Sequence, residues 1–295
     1  MLAETLNLLE ANNALLVSLI TLLGLFVGSF LNVVIYRLPL RLQHEWRTEC
    51  KEFLGADGPS LDSPATPPEN IFTSRSHCPD CGHQITALEN IPVLSYLILR
   101  GKCSECSARI SPRYPAIEVL TALLSGIVAW SFEYTIALPF VLTLVWSLIA
   151  LSFIDFDHKL LPDKLVFPML WLGLLVNSQN ILTDIHSALY GAVAGYLVLW
   201  LVYQAFKLLT GKEGMGFGDF KLLALIGAWL GWQMLPLVVL LSSLVGAVVG
   251  ILGILILGRD RQIPIPFGPY LSVAGLIALF WGQQIIDSYL QFAGL

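Results

Sequence analysis

The sequence predicts an all-α polytopic membrane protein of about eight transmembrane helices with a small cytoplasmic zinc-binding loop domain. Composition, the placement of positive charge and one cluster of cysteines predict it. Of the 295 residues, 56% are hydrophobic and 13% charged, against about 25% charged in an ordinary soluble domain, and the mean hydropathy is positive. The formal net charge of -5 disfavours nucleic acid as a partner. In a membrane chain, where the Lys and Arg lie says more than their sum.

Apolar runs long enough to cross ~30 Å of hydrocarbon, about 20 residues each, fall near 14–36, 114–132, 136–154, 165–180, 185–207, 220–235, 236–257 and 267–290. The sixth and seventh are the least sharply bounded. The first is not a cleavable signal peptide, because Met1–Asn13 has no positive n-region and carries Glu4 and Glu10 instead. If 37–113 is cytoplasmic, so are 155–164, 208–219 and 258–266. Arg37, Arg41, Arg47, Lys51, Arg75, Arg100, Lys102, Arg109 and Arg113 lie in the first of these, and Lys159 and Lys164 in or beside the second. Lys207, Lys212 and Lys221 lie in or beside the third, and Arg259 and Arg261 in the fourth, which accounts for all 16 Lys and Arg. The opposite connections carry only Glu133 and Asp184, a full positive-inside bias. Both termini are expected to face outward.

The organisation read from this is a first transmembrane helix at 1–36, a cytoplasmic loop domain at 37–113 and a transmembrane core at 114–295. The middle of the loop, "GADGPSLDSPATPPENIFTSRS", is rich in Pro, Ser and acidic residues and reads as linker. After it, Cys78-x-x-Cys81 and Cys103-x-x-Cys106 form two hooks 21 residues apart, close to the spacing of ribbon sites in which four thiolates surround Zn²⁺. Disulfides or free thiols are the plainer alternative. A reducing compartment argues against them, and Pro79 and Gly82 suit a tight metal-binding turn. Four thiolates leave no open coordination position, so the metal is read as structural. His77 and His83 adjoin the first hook, and Cys50 stands apart as a free thiol.

Asp155, Asp157 and Asp163 lie in "FIDFDHKLLPDKL" at the cytoplasmic end of the third span, and Asp219 lies at the start of the sixth, in "MGFGDFKLL". A carboxylate at membrane depth is expensive and faces a protein interior or water-filled cavity. One Asp near a span end is equally a solvated interfacial residue; two clusters on one face point to a shared site. Two carboxylates held close in a partly dry site can share one proton, one activating water while the other protonates the carbonyl oxygen or leaving amine. Gly216 and Gly218 leave room for a substrate strand to approach. If 155–157 continues the third helix, Asp155 and Asp157 point about 200° apart, so one of the two faces Asp219.

Together, "GSFLNVVIYRLP" (28–39), the two hooks, "LRGKC" (99–103), "IDFDHKLLPDKL" (154–165), "MGFGDFKLLALIGAWLGW" (215–232) and "IPFGPYL" (265–271) resemble the bacterial type IV prepilin leader peptidases of the GxGD aspartic protease class. The resemblance covers nearly the whole chain. It implies an inner-membrane enzyme with its active site at the cytoplasmic face and its termini in the periplasm. Such an enzyme cuts the short basic leader from type IV prepilins and type II secretion pseudopilins after a glycine, then methylates the new N-terminal residue with S-adenosylmethionine. The catalytic aspartates match Asp219 in the GxGD pattern and Asp155 at the head of D-x6-P, which ends at Pro162. Asp157 and Asp163 are then supporting or solvated. The zinc ligands match Cys78, Cys81, Cys103 and Cys106, and 114–295 becomes the protease core.

No dinucleotide-type glycine fingerprint exists, so an S-adenosylmethionine site would be built from the cytoplasmic loop, with Gly101 and Lys102 as candidates. A turn and a positive-inside lysine explain the same two residues. Asn32, polar within the first span, is read as a hydrogen-bonding residue between helices. A proton-coupled transporter is the competing class, since intramembrane acids also relay protons, but no internal repeat is visible. A zinc module that only binds partners would leave the paired aspartates unexplained.

Overall fold

The structure is a computed structural model that describes residues 9–54, 69–71, 74–257 and 266–294. Most of the linker, the connection carrying Arg259 and Arg261, and Met1–Leu8 with Glu4 lie outside the described residues, as does Ile265 of the 265–271 motif. The described chain is helical: α1 Asn13–Leu54, α2 Leu94–Ile98, α3 Arg113–Phe132, α4 Ala137–His158, α5 Asp163–Asn177, α6 Ile185–Thr210, α7 Phe217–Leu230, α8 Leu235–Leu257 and α9 Gly268–Ala293. No strand occurs among the described residues.

Every predicted span corresponds to a helix. Six stretches are long and apolar enough to cross a membrane: α1, α3, α4, α6, Trp232–Gly253 and α9. The predicted fourth and sixth spans are shorter helices, α5 with 15 residues and α7 with 14, each about 21–23 Å long at 1.5 Å per residue. In the other direction, α1 runs well past the expected end of its span. Pro39 does not stop it, and "RLQHEWRTECKEFL" continues as helix to Leu54, because Leu, Arg, Gln, Glu and Lys all favour helix.

The chain divides into two compact units, Met1–Leu138 and Pro139–Leu295. In the first, α1 packs along α3. Gly24 and Gly28 form a small-residue step on α1: a Cβ at Gly24 would meet Ser125 Oγ at 2.6 Å, and one at Gly28 would meet Glu118 Cα at 2.7 Å. That is the close backbone approach that Gly-x-x-x-Gly permits between membrane helices. Asn32 donates its side-chain amide to the Tyr114 carbonyl, the inter-helix role read from the sequence. Arg37, buried, donates to the carbonyls of Asn70, Ser74 and Arg75 and pairs with Glu69. The chain after the linker is thereby fastened to α1.

In the second unit α7 is the hub, packed on α5, α6 and α9. Phe220 and every residue from Leu222 to Trp229 is buried, as expected for a helix apolar all round. Asn177 closes its far end, donating to the Ala228 and Trp229 carbonyls while accepting from the Leu182 and Thr183 amides; these carbonyls have no partner within the helix. Gly191 of α6 and Gly227 of α7 meet backbone to backbone, so a Cβ at Gly227 would sit 2.2 Å from the Gly191 carbonyl oxygen. Gly227→Ala is therefore expected to destabilise the unit by about 1–3 kcal/mol, the usual range for overpacking a dense core. A thermal-unfolding scan in detergent checks this, and an unchanged midpoint would contradict the packing described.

Candidate active site and metal centre

Asp155 sits in the last turn of α4, and Asp219 in the first turn of α7 after the N-cap Gly216. Both are buried, at 5% and 8% exposure, whereas Asp157 is exposed. The helix phase that separated Asp155 from Asp157 in the sequence therefore selects Asp155 as the inward member. The two buried carboxylates lie within each other's electrostatic reach. Three chain segments meet around them. After α4 the backbone reverses at Lys159, with φ +53°, and returns Leu161 to the core. Leu161 then fills the space beside two glycines: a Cβ at Gly218 would meet its Cβ at 2.9 Å, and one at Gly268 would meet its Cδ2 at 3.3 Å.

Gly268, the first residue of α9, is the contributor that sequence reading left without a role. Its N–H donates to Asp155 Oδ2 at 2.9 Å, across 113 positions of sequence. A Cβ there would stand 2.7 Å from the same oxygen. The only local signal was the Gly-Pro pair in "IPFGPYL", consistent with a helix that begins with Pro in its first turn. Gly268→Ala is expected to push the Asp155 carboxylate out of place and lower any activity that depends on it by about 10²-fold, the usual cost of a misplacement near 1 Å. Unchanged turnover in this variant would show that the contact does not position the carboxylate.

Aromatic packing sets the start of α7. Tyr203 of α6 lies 5.4 Å from Phe217 and 5.7 Å from Phe220, and Tyr196 lies 5.8 Å from Phe220 by ring centroids. Lys221 bonds both oxygens of Asp163 at 2.8 and 2.9 Å, tying the first turns of α7 and α5 together. Asp163 is thus an exposed, ion-paired residue beside the buried pair.

The four cysteines of the first unit come together as the hooks predicted. Their sulfurs all lie within 4.8 Å of one another. Cys78 and Cys106 are 3.8 Å apart, Cys81 and Cys103 3.9 Å. A disulfide requires about 2.03–2.05 Å, whereas four sulfurs at about 2.3 Å from one ion in a tetrahedron stand about 3.8 Å apart. The cluster can therefore hold a metal ion, and these two separations match the edge of a tetrahedral thiolate site. Cys50 is exposed and outside it.

The two hooks are copies of one knuckle. Cys78 N–H bonds the His83 carbonyl and Gly82 N–H bonds the Cys78 carbonyl, and Cys103 with Ala108 and Ser107 with Cys103 repeat the pattern at the same offsets. Gly82 has φ +73° and Ser107 φ +60°. Backbone N–H groups of Cys106 and Glu105 pull the Cys103 thiol down to about 7, while burial and the neighbouring thiols push Cys81 up to about 12 and raise Cys106, so the packed thiols resist ionising together. Glu89 joins the knuckles: it accepts from Ser104 Oγ and from Thr86 N–H and Oγ, and bonds His83 Nε2. Led by Ser104, these partners hold its carboxyl at about 2.

Gly101 and Lys102 lie at the entry to the second knuckle. Gly101 has φ +68°, its N–H bonds the Tyr96 carbonyl and its carbonyl accepts from Ile110. A Cβ would meet Tyr96 Oη at 2.9 Å, so local structure already demands glycine. Lys102 pairs with Arg109 through a backbone bridge, with its side chain exposed.

A polytopic helical chain with a buried carboxylate pair in one unit and a four-thiol cluster in the other defines a class, and the chain belongs to the type IV leader peptidase family. Residues 142–251 match the model of that family, and residues 22–132 match that of the bacterial peptidase A24 N-terminal domain. Its relatives include the prepilin leader peptidase/N-methyltransferases of Stutzerimonas stutzeri, 56% identical over 273 residues, and Pseudomonas aeruginosa, 55% identical over the same length, each alignment covering 92% of this chain and 93% of the relative. The protein of that name from Legionella pneumophila is 46% identical over 271 residues, again covering 92% and 93%. No solved structure matches the chain.

Proposed function

We propose that this chain is a prepilin leader peptidase and N-methyltransferase: it cuts the basic leader from type IV prepilins and type II secretion pseudopilins at the cytoplasmic face of the bacterial inner membrane, then methylates the new N-terminal residue. The observation that carries the reading is the burial of Asp155 and Asp219, alone among the aspartates of their motifs, within reach of each other's charge. More than half of the residues are identical to relatives named for both activities. The transporter alternative has no comparable support.

In cleavage, the ionised member of the pair takes a proton from water as the water oxygen attacks the scissile carbonyl. The protonated member donates to that carbonyl oxygen, and the amine leaves with a proton as the C–N bond breaks. Gly268 N–H holds one Asp155 oxygen still. Cys78, Cys81, Cys103 and Cys106 would hold Zn²⁺, which would brace the cytoplasmic lobe. S-adenosylmethionine would supply the methyl group when bound; Lys102, exposed, and Gly101, at φ +68°, are the residues that would help to hold it. The functional divisions are the first transmembrane helix at 1–36, the zinc-bearing loop domain at 37–113 and the protease core at 114–295, with both termini periplasmic.

The test is direct. Detergent-purified protein is incubated with a synthetic prepilin N-terminal peptide and S-adenosylmethionine, and the products are weighed by mass spectrometry. Loss of the leader and gain of one methyl group on the remainder are expected. An intact peptide in the presence of zinc-loaded, folded protein would overturn the reading.

A further inference from the structure

Glu118 is a buried carboxylate outside the residues to which cleavage and methyl transfer are assigned above. It lies five residues into α3, about 7.5 Å along the axis from Arg113 at 1.5 Å per residue. Its Oε2 accepts the N–H of Val93 at 2.8 Å, a bond from the body of a membrane-crossing helix to the cytoplasmic lobe. Val93 adopts φ +60°, ψ -47°, a conformation that a β-branched residue takes only under constraint. The bond thus fixes where α2 begins. Because helical side chains lean toward the N-terminus, it sets that start level with the first turn of α3. With its 20 residues, α3 is about as long as the hydrocarbon is thick, so this level is the boundary between acyl chains and headgroups.

From that anchor α2 presents Leu94, Leu97 and Ile98 outward at 56%, 64% and 78% exposure. Their i, i+3, i+4 spacing makes one continuous apolar face. The opposite side carries Tyr96, whose ring packs beneath Gly101. Arg100 and Lys102 follow directly and are exposed. On α3, Val119, Leu120 and Leu123 are also exposed apolar residues, as lipid-facing positions of a spanning helix are. An apolar face at boundary depth, flanked by cations, has the composition of an interfacial helix on anionic lipid.

We propose that α2 is a membrane-surface helix: Leu94, Leu97 and Ile98 lie in the cytoplasmic headgroup layer, Arg100 meets anionic lipid, and the Glu118–Val93 bond is the tether that holds the zinc lobe down. This rests on the membrane reading of α3 and on neither catalytic activity. Its effect would be to keep the lobe at the depth where a membrane-anchored substrate emerges.

The test places a nitroxide at Leu97→Cys in zinc-loaded, full-length Cys50→Ser protein, in nanodiscs of phosphatidylethanolamine and phosphatidylglycerol. Collision with oxygen is compared with collision with a water-soluble nickel chelate. Labels at Leu123→Cys and Lys212→Cys supply the lipid and water references. Oxygen-dominated collision at Leu97, intermediate between the references, is the expected result. Nickel-dominated collision as at Lys212 would overturn the proposal, and so would a label closed to both reagents, which would mean that protein covers the face. Glu118→Ala is expected to raise nickel access at Leu97 several-fold while zinc is retained, and Glu118→Gln, which keeps a carbonyl acceptor, to leave it unchanged. A Leu97 label whose depth is the same in Glu118→Ala would contradict the tether.

Discussion

Asp155→Asn and Asp219→Asn are each expected to lower peptide cleavage by about 10²–10⁴-fold, the range that a positioned acid or base contributes. An amide can neither hold the shared proton nor take one from water. Both variants should still insert and fold, because the exchange preserves side-chain shape and Asn can still accept the Gly268 N–H bond seen for Asp155. Asp157→Asn should retain most of the activity, since Asp157 is exposed on the far side of the helix. Loss in Asp157→Asn with near-normal cleavage in Asp155→Asn would move the assignment by two residues. Full activity in both Asp155→Asn and Asp219→Asn would remove the carboxylate mechanism.

The second large effect concerns the metal. One zinc per chain is expected by elemental analysis, lost when any of Cys78, Cys81, Cys103 or Cys106 becomes Ser, because a hydroxyl is a poor replacement for a thiolate ligand. Structural zinc contributes about 10–16 kcal/mol of apparent binding free energy. The lobe around the hooks has little core of its own: only Cys78 there is a buried core residue, and the rest of its order comes from turns, from Glu89 and from the Glu118–Val93 bond. Loss of metal should therefore unfold the lobe, read as protease sensitivity between residues 76 and 112, while the membrane helices stay intact. Cys50→Ser should keep its zinc. Fully active protein without zinc would contradict the structural role.

Much of this was legible in the sequence, because membrane burial writes itself in long apolar runs, and each run read as a span corresponds to a helix. The Cys hooks were equally plain, since ligand spacing is local. What escaped has a physical reason in each case. The helical continuation to Leu54 follows an apolar run that ends near Tyr36, so hydropathy marks the end of the span and not of the helix. The equivalence of the knuckles was disguised because Ser107 stands at the left-handed position that Gly82 occupies in the first. Gly268 and Glu118 act across long sequence distances, Gly268 on Asp155 and Glu118 on Val93, and periodicity carries no trace of either contact. Helix phase showed only that one of Asp155 and Asp157 faces inward; the D-x6-P resemblance pointed to Asp155, and it is Asp155 that is buried.

The central claim is that the Asp155–Asp219 pair performs cleavage while a separate site on the cytoplasmic loop performs methyl transfer. The measurement that tests it most directly is an assay of both reactions, on uncut prepilin peptide and on peptide supplied already cut, with Asp219→Asn and the unaltered protein side by side. The account predicts that Asp219→Asn leaves the uncut peptide intact but methylates the pre-cut one at close to the normal rate. Substitution of Lys102, by contrast, should lower methyl transfer much more than cleavage. Cleavage of the uncut peptide by Asp219→Asn at the normal rate, or loss of methylation on the pre-cut peptide with the fold and zinc retained, would contradict it.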